Sequence, residues 1–286
     1  MVRADVELVA RGLATSRTQA QRLIAQGDVT LDGRVLGRAS TPVAAESVLE
    51  VEAGEGYVSR AALKLAGALD ALAATPWSGP VVAGRRVLDA GASTGGFTDV
   101  VLRRGAAHVV AVDVGSGQLD PRIRADERVT AIEHTNVRRL DPARVGAPAD
   151  LLVADLSFIS LRLVLGPLTA CLAHEADALV LVKPQFEVGR ERLGSGGIVT
   201  NPRAHADAIV GVLGAAAAVG LRARAVLPSP IEGTHGNREF VAWLQRRDAA
   251  SAVPGRGDTP AQAAEHTRLA TGAVAGRLVA AEWGTW

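Results

Sequence analysis

The chain has 286 residues, 48% of them hydrophobic, which is enough for a buried core in one large domain or two smaller ones. Its net charge is only +1, so no overall positive field indicates a nucleic-acid partner, and any RNA-binding surface must be local. A single cysteine, Cys171, excludes an internal disulfide and fits a reducing, cytoplasmic location. No apolar run reaches the roughly 18 residues of a transmembrane helix, and we expect no stable membrane association.

Residues 1–52 are predicted to form a small α/β domain. Two short helices end near Gly12 and Gly27, and Ser16 is the predicted N-cap of the second helix. A strand, a turn at Asp32-Gly33 and a second strand follow. Several arginines are spread over this unit and could line one basic face for RNA: Arg11, Arg17, Arg22, Arg34 and Arg38.

Residues 53–59 read as a short linker into a helix that runs to about Ala74, with Ser59 as its natural N-cap. Lys64 lies on the flank of the apolar stripe of this helix, near enough to the buried side to reach a cleft. Only two of the 31 basic residues are lysines, Lys64 and Lys183. A buried lysine can lose its proton and an arginine cannot, so both are candidates for chemistry. The alternative for Lys64 is a side chain that extends across the packed face to solvent.

From Arg85 onward, strands alternate with helices, which predicts a doubly wound parallel sheet. The domain is predicted to span residues 60–247, and residues 248–286 read as a linker and an alanine-rich helix at about 261–280. An antiparallel pair should close the sheet, because the loop before the last strand is too short for a helix. The predicted strands are 86–90, 108–113, 128–133, 150–155, 178–183, 222–228 and 238–246.

The stretch Asp89-Ala-Gly-Ala-Ser-Thr-Gly-Gly-Phe-Thr98, between the first strand of this sheet and a helix, is typical of a nucleotide-cofactor loop. A P-loop would need Lys followed by Ser or Thr where Phe97-Thr98 stands, and the glycine spacing does not fit a dinucleotide. A carboxylate here suits a cofactor with a cationic end and no phosphate, such as S-adenosylmethionine. The alternative is a glycine-rich turn that binds nothing.

The predicted cofactor contacts extend beyond this loop. Asp113, about twenty residues after the loop, is expected to bind the ribose hydroxyls, with helix capping as the alternative. Asn136 could bind adenine, although asparagine is also common in turns. The residues predicted to contact the cofactor are Asp89, Gly91, Ser93, Thr94, Gly95, Gly96, Phe97, Asp113 and Asn136.

Asp155 and Lys183 end two strands that are predicted to be neighbours. A carboxylate and a titratable amine would therefore face the mouth of the cofactor site. A buried salt bridge without catalytic function is the alternative. The scarcity of lysine in the chain favours a role in chemistry.

Two resemblances follow from these motifs. The pattern Arg3-Ala-Asp, Arg11-Gly-Leu, Ser16-Arg17, Leu23-Ile24, Gly27 and Val29 resembles the S4 RNA-binding domain. From Tyr57 to about Arg247 the chain resembles the FtsJ-type ribose 2′-O-methyltransferases. With the S4-like unit in front, it is similar to the TlyA family of hemolysin-named rRNA methyltransferases. The motifs behind this match are Ser-Arg-Ala-Ala-Leu-Lys64, the 89–98 loop, Ala-Asp155-Leu-Ser-Phe-Ile-Ser, Val-Lys183-Pro-Gln-Phe-Glu and Gly-Asn-Arg-Glu239-Phe.

The resemblance implies a Rossmann-like, seven-stranded, mostly parallel sheet, S-adenosylmethionine as cofactor, and methylation of a cytidine 2′-hydroxyl in ribosomal RNA or ribosomal subunits without a metal. It assigns catalysis to Lys64, Asp155, Lys183 and Glu239. Lys183 would act as general base or hold the hydroxyl lone pair, oriented by Asp155, while Lys64, held by Glu239, would steer phosphate or ribose.

Two other classes of function remain open. A non-catalytic ribosome-binding or assembly factor would keep the arginines without needing S-adenosylmethionine. A membrane-active hemolysin would need a strongly amphipathic or spanning segment, and the sequence shows none.

Overall fold

The computed structural model describes residues 2–14, 17–51, 56–75, 78–233 and 236–246. Three predictions therefore lie outside the described residues. They are the capping role of Ser16, residues 53–55 of the predicted 53–59 linker, and the 248–286 tail with its helix. The side chain of Arg22 is also outside the described part.

The N-terminal domain packs two helices against short strands. Leu8 and Ile24, one from each helix, are buried with Val29 and Val43 in a small core. The predicted turn is confirmed, since Asp32 and Gly33 both have positive φ angles, 51° and 76°, as a two-residue hairpin requires. The elements are β1 (Val2–Arg3), α1 (Ala4–Ala10), α2 (Arg17–Gln26), β2 (Val29–Leu31), β3 (Arg34–Val35), β4 (Pro42–Val43) and β5 (Leu49–Val51).

The predicted capping role of Ser59 is wrong. The next helix, α3 (Ala62–Ala73), has Ala61 as its N-cap residue, with no side-chain cap. Ser59 instead packs against the end of the glycine-rich 89–98 loop, where a Cβ on Gly96 would overlap its Oγ. The segment is also tied to the N-terminal domain, because the backbone N–H of Arg60 donates to Asp28 Oδ1 at 2.8 Å. Packing between the domains has displaced the helix start that local propensity predicts.

The second domain contains a seven-stranded sheet in the order β11-β12-β10-β9-β6-β7-β8. The strands are β6 (Arg86–Ala90), β7 (His108–Val112), β8 (Val129–Ile132), β9 (Ala149–Ala154), β10 (Leu172–Val182), β11 (Leu221–Pro228) and β12 (Phe240–Arg246). Strands β10, β9, β6, β7 and β8 pair in parallel, as predicted. Strand β12 lies between β10 and β11 and is antiparallel to both. The prediction for β10 was too short, since the strand begins at Leu172 rather than near 178.

Helices cover both faces of this sheet. Alternate residues of β9 point to opposite sides, so that Leu151 packs with α3 and Leu152 packs on the other face. The remaining helices are α4 (Gly96–Arg103), α5 (Pro121–Arg124), α6 (Pro142–Val145), α7 (Leu165–Ala170), α8 (Pro184–Glu187) and α9 (Pro202–Ala218). In the described ranges, no helix combines the length and the apolar character needed to cross a membrane. Burial on both faces fixes the strand register and, with it, the residues at the strand ends.

Candidate active site

One edge of the sheet brings the predicted residues together. Strands β6, β7, β9 and β10 run in the same direction, so their carboxyl ends meet at this edge. The side chains at or just after these ends are Asp89, Asp113, Asp155 and Lys183. Strand β12 runs the opposite way, and its first residue, Phe240, pairs with Val182. Glu239, which precedes β12, therefore lies at the same edge.

Two buried ion pairs contain both lysines of the chain. Lys64 Nζ lies 2.7 Å from Glu239 Oε2, and Lys183 Nζ lies 2.5 Å from Asp155 Oδ1. Each lysine residue is only 8% exposed. Removing one partner of a buried pair leaves an uncompensated charge at a cost of about 3–5 kcal/mol, so the partners hold each other in place.

The charges of these pairs are set by their surroundings. Burial by itself lowers the pKa of the Lys64 ammonium, but the carboxylates of Asp155 and Glu239 more than offset this, and the pKa is raised. Burial likewise acts to raise the pKa of Asp155, but the ammonium groups of Lys183 and Lys64 hold it below its ordinary value. Lys64 is therefore a fixed positive charge, suited to bind an oxygen rather than to carry a proton.

Asp89 is the buried carboxyl group of the glycine-rich loop. Thr98 Oγ1 donates to Asp89 Oδ2 at 2.6 Å, whereas Asp89 Oδ1 is buried without a hydrogen-bond partner. Burial, assisted by the carboxylates of Asp155 and Asp113, raises the pKa of Asp89 to about 7. A buried oxygen with no donor is costly unless a ligand supplies one. Asp89 Oδ1 is therefore a candidate to bind a cationic or N–H group.

Glycines let the loop backbone lie close to the strand ends. Gly91 and Gly95 have φ angles of 86° and 94°, which side-chain-bearing residues rarely adopt. A Cβ at Gly91 would also lie 2.6 Å from the carbonyl oxygen of Asp155. Behind them, Gly96 and the buried Phe97 begin α4. The loop thus forms a backbone cradle beside Asp89.

Asp113 lies on the other side of this cradle. Its Oδ2 accepts a hydrogen bond from the Ser93 N–H at 2.8 Å, and its Oδ1 accepts one from the Gly115 N–H at 2.7 Å. Each carboxylate oxygen can accept a second hydrogen bond, so both oxygens remain usable by ribose hydroxyls. The carbonyl of Thr94 accepts from the Asp120 N–H, which further fixes the loop. Together with Asp89, these groups fit a nucleoside cofactor that has a cationic end.

Asn136 has a structural role that the sequence left open. Its Oδ1 accepts a hydrogen bond from the Arg138 N–H at 3.0 Å and caps a short 3₁₀ turn at residues 137–139. The residue is exposed. Its contact with adenine stays a prediction.

Sequence reasoning missed three side chains around the lysine pairs. Lys183 Nζ donates to Ser157 Oγ at 2.9 Å, and Gln185 Nε2 lies 3.4 Å from Glu239 Oε1. Glu187 is buried and accepts hydrogen bonds from the loop that follows β9. All three lie within the motifs around Asp155 and Lys183, but motif spacing alone does not show which polar side chains touch. The signal available was their proximity in sequence to the two charged residues.

Phe158 is a further feature at this edge. Its side chain is 91% exposed, and its φ angle of 63° is rare for a bulky residue. The ring lies 5.3 Å, centre to centre, from that of Phe186, at a tilt of 49°. An exposed aromatic face held on strained backbone next to Ser157 indicates a constraint other than core packing.

The arginines predicted to bind RNA have different surroundings. Arg11 is bound inside the N-terminal domain, where it donates to Glu7 and to the carbonyl of Ser47. Arg17 is exposed and pairs with the buried carboxylate of Asp5 at 3.1 Å. The side chains of Arg34 and Arg38 are exposed on the same domain. The described arginines therefore provide exposed positive charge at 17, 34 and 38, whereas Arg11 stabilises the domain.

Comparison with protein families divides the chain in two. A model of FtsJ-like methyltransferases matches residues 57–246, and a model of the S4 domain matches residues 2–49. The first match covers the whole seven-stranded sheet and all four ion-paired residues.

Similar proteins are found over nearly the full length. The 16S/23S rRNA (cytidine-2′-O)-methyltransferase TlyA of Mycobacterium tuberculosis (strain ATCC 25618 / H37Rv) is 48% identical over 90% of this chain and 94% of its own length. YqxC of Bacillus subtilis (strain 168) is 42% identical over 85% of each chain. A solved structure of a hemolysin-named protein from Streptococcus thermophilus superposes with a TM-score of 0.67, at 36% identity and 94% coverage of both chains. Sequence and structure thus agree on both domains.

Proposed function

The chain belongs to the TlyA family of FtsJ-like methyltransferases with an S4 domain, and from this premise we propose that it methylates the ribose 2′-hydroxyl of a cytidine in ribosomal RNA. The observation that carries the proposal is the arrangement of the two lysines. Each is buried and paired with a carboxylate at the sheet edge where the glycine-rich loop also lies. A non-catalytic assembly factor would have no need for this costly pair of buried charges.

The cofactor we propose is S-adenosylmethionine, which supplies a methyl group already activated by its sulfonium. Asp89 Oδ1 would accept a hydrogen bond from the amino group of the cofactor, and Asp113 would bind the ribose hydroxyls. Ser93, Thr94 and the glycines of the loop would lie against the cofactor through their backbone. Phe97, in the first turn of α4, would pack against the loop and shape the cofactor site. Asn136 would contact the adenine.

The acceptor side depends on the two ion pairs. Lys183, held by Asp155, would contact the 2′-oxygen of the acceptor ribose and orient its lone pair toward the methyl group. The 2.5 Å pair with Asp155 holds the amine in place, so orientation is the primary role that we assign to Lys183. The hydroxyl proton would pass to water as the bond from oxygen to the methyl carbon forms and the bond from that carbon to sulfur breaks. Lys64, held by Glu239, would bind a phosphate or ribose oxygen of the RNA. No step in this scheme requires a metal.

The N-terminal domain would supply affinity for folded RNA. Exposed arginines at 17, 34 and 38 provide a local positive surface in a chain of nearly zero net charge. Arg11 and Arg22 complete the set predicted from the sequence. The partner would be ribosomal RNA within ribosomal subunits, which places the protein in the cytoplasm.

Methyl transfer from labelled S-adenosylmethionine to isolated ribosomal subunits tests the proposal. We expect label in RNA, recovered as 2′-O-methylcytidine in a linkage that resists alkaline hydrolysis. Lys183→Ala should reduce the rate by at least about a hundredfold while leaving cofactor affinity, measured by calorimetry, near that of wild type. Asp70→Asn, on an exposed part of α3, is the matched control and should retain the wild-type rate.

Three results would contradict the proposal. Label on a base rather than on ribose would exclude 2′-O chemistry. Wild-type activity in Lys183→Ala would exclude the assigned role of Lys183. Binding of subunits without binding of S-adenosylmethionine would favour an assembly factor.

A further inference from the structure

Ser157 contacts the reactive lysine directly. Lys183 Nζ donates a hydrogen bond to Ser157 Oγ at 2.9 Å, beside the 2.5 Å ion pair with Asp155 Oδ1. An ammonium group carries three N–H donors, and the hydrogen bond to Ser157 Oγ uses one of them. The ion pair places the charge beside Asp155, whose Oδ1 accepts no hydrogen bond.

The loop that carries Ser157 is anchored, three residues further along the chain, by a buried carboxylate. Glu187 is only 6% exposed, and it accepts hydrogen bonds from Ser160 Oγ at 2.5 Å and from the Leu161 N–H at 2.7 Å. Glu187 belongs to α8, which begins directly after Lys183. The loop that carries Ser157 and the segment that carries Lys183 are therefore held together by one residue. This makes the Lys183–Ser157 contact part of a built arrangement rather than an accident of an exposed loop.

Ser157 and Lys183 also differ in accessibility. Ser157 is exposed, whereas Lys183 is buried. The contact thus joins a buried amine to a hydroxyl at the protein surface.

We propose that Ser157 is a positioning residue for Lys183, an inference that rests on the methyltransferase function proposed above. The ion pair with Asp155 fixes the position of the ammonium group but not the directions of its N–H bonds. The hydrogen bond to Ser157 Oγ fixes rotation about the Cε–Nζ bond, so that another N–H can be aimed at the 2′-oxygen. Correct orientation of reacting groups accounts for much of the rate in a reaction whose methyl donor is already activated.

Three substitutions of serines test this role in the full-length protein. Ser157→Ala removes the acceptor, and Ser157→Thr keeps a hydroxyl at the same position. Ser160→Ala is the matched comparison, because it loosens the same loop without removing a contact to Lys183. For each variant, kcat, KM for ribosomal subunits and the calorimetric Kd for S-adenosylmethionine are measured.

For Ser157→Ala, we expect kcat to fall about tenfold while KM and Kd stay near wild type, because a hydrogen bond to a charged group is lost. Ser157→Thr, which keeps the hydroxyl, should restore kcat to near the wild-type value. Ser160→Ala should keep kcat within about twofold of wild type, because the contact to Lys183 is still present.

Two outcomes would overturn the inference while methyl transfer by the wild type stands. One is a Ser157→Ala enzyme with unchanged kcat. The other is a Ser160→Ala enzyme that loses as much kcat as Ser157→Ala, because the effect would then come from the loop as a whole. If the wild type transfers no methyl group to RNA, the proposed function fails, and the inference fails with it.

Discussion

Replacing Asp89 by Asn should change how stability depends on pH. The folded protein holds Asp89 with a pKa of about 7, whereas the ordinary value is 3.8. Between these two pH values the folded state binds a proton that the unfolded state has released. The free energy of unfolding of the wild type therefore falls as pH rises from about 4 to 7, and this loss levels off above pH 7. Asparagine at position 89 has no such dependence.

The magnitude follows from the size of the shift. Each pH unit within the window costs the wild type about 1.4 kcal/mol, so the stability advantage of Asp89→Asn should grow by on the order of 3 kcal/mol from pH 5 to pH 7. The variant keeps an oxygen to accept the hydrogen bond that Thr98 donates to Asp89 in the wild type. Its amide is also close in size to the protonated carboxyl that it replaces.

Urea unfolding at pH 5, 6, 7 and 8, followed by circular dichroism, measures this difference. Other titrating groups affect both proteins equally and cancel. Asp70→Asn, whose side chain is 70% exposed in the wild type, serves as the control and should show no pH-dependent difference. If the stability difference between wild type and Asp89→Asn stays constant from pH 5 to 8, Asp89 is not protonated in the folded protein and the reasoning is wrong.

The raised pKa of Asp89 also predicts that the affinity for the cofactor depends on pH. An ionised Asp89 would bind the amino group of S-adenosylmethionine, so wild-type Kd should rise about tenfold from pH 8 to pH 6 as the carboxylate, with a pKa of about 7, is protonated. Asp89→Asn should bind more weakly at pH 8 and show little change with pH. Calorimetry at constant ionic strength measures both, and a wild-type Kd that does not vary between pH 6 and 8 would argue against this contact.

Further predictions concern glycines and the Lys64 pair. Gly96→Ala should destabilise the protein by about 1–3 kcal/mol in urea unfolding. The added Cβ would overlap Ser59 Oγ and lie 3.1 Å from the backbone nitrogen of Ala62, the first residue of α3. Gly214→Ala, in open space on α9, should stabilise by about 0.5–1 kcal/mol, and a loss there would contradict the packing described. Glu239→Gln should slow methyl transfer at least about tenfold and lower stability by roughly 3–5 kcal/mol, because buried Lys64 loses its charged partner. An unchanged rate would show that Glu239 does not position Lys64.

Much of the site could be predicted because its signals are local. The glycine-rich loop and the carboxylates at strand ends are readable from short apolar runs followed by polar residues, and the sheet edge does bring Asp89, Asp113 and Asp155 together. The rarity of lysine pointed to Lys64 and Lys183, and both prove to be buried at this edge. These features depend on amino-acid composition and on the spacing of apolar and polar residues, both of which can be read directly from the sequence.

Features set by tertiary packing could not be predicted. Ser59 is a residue type that often caps helices. Its position is set instead by contact with Gly96 and by the hydrogen bond from the Arg60 N–H to Asp28 in the N-terminal domain. The Lys183–Ser157 contact depends on the path of a loop that Glu187 fixes from another segment. Side-chain direction in loops follows such long-range contacts, and a single sequence does not contain them.

The insertion of β12 between β10 and β11 has a consequence for the order of assembly. Lys64 and Glu239 are separated by 175 positions, so a chain being synthesised has made the lysine long before its counter-charge. The edge of β10 that faces away from β9 has no partner strand until β12 is synthesised and pairs with it. Until then the Lys64 amine lacks Glu239, and burying it would be costly. We expect the pairing of β12 to complete the sheet and, in the same step, to bring Glu239 to Lys64. Chains that lack β12 should therefore be inactive.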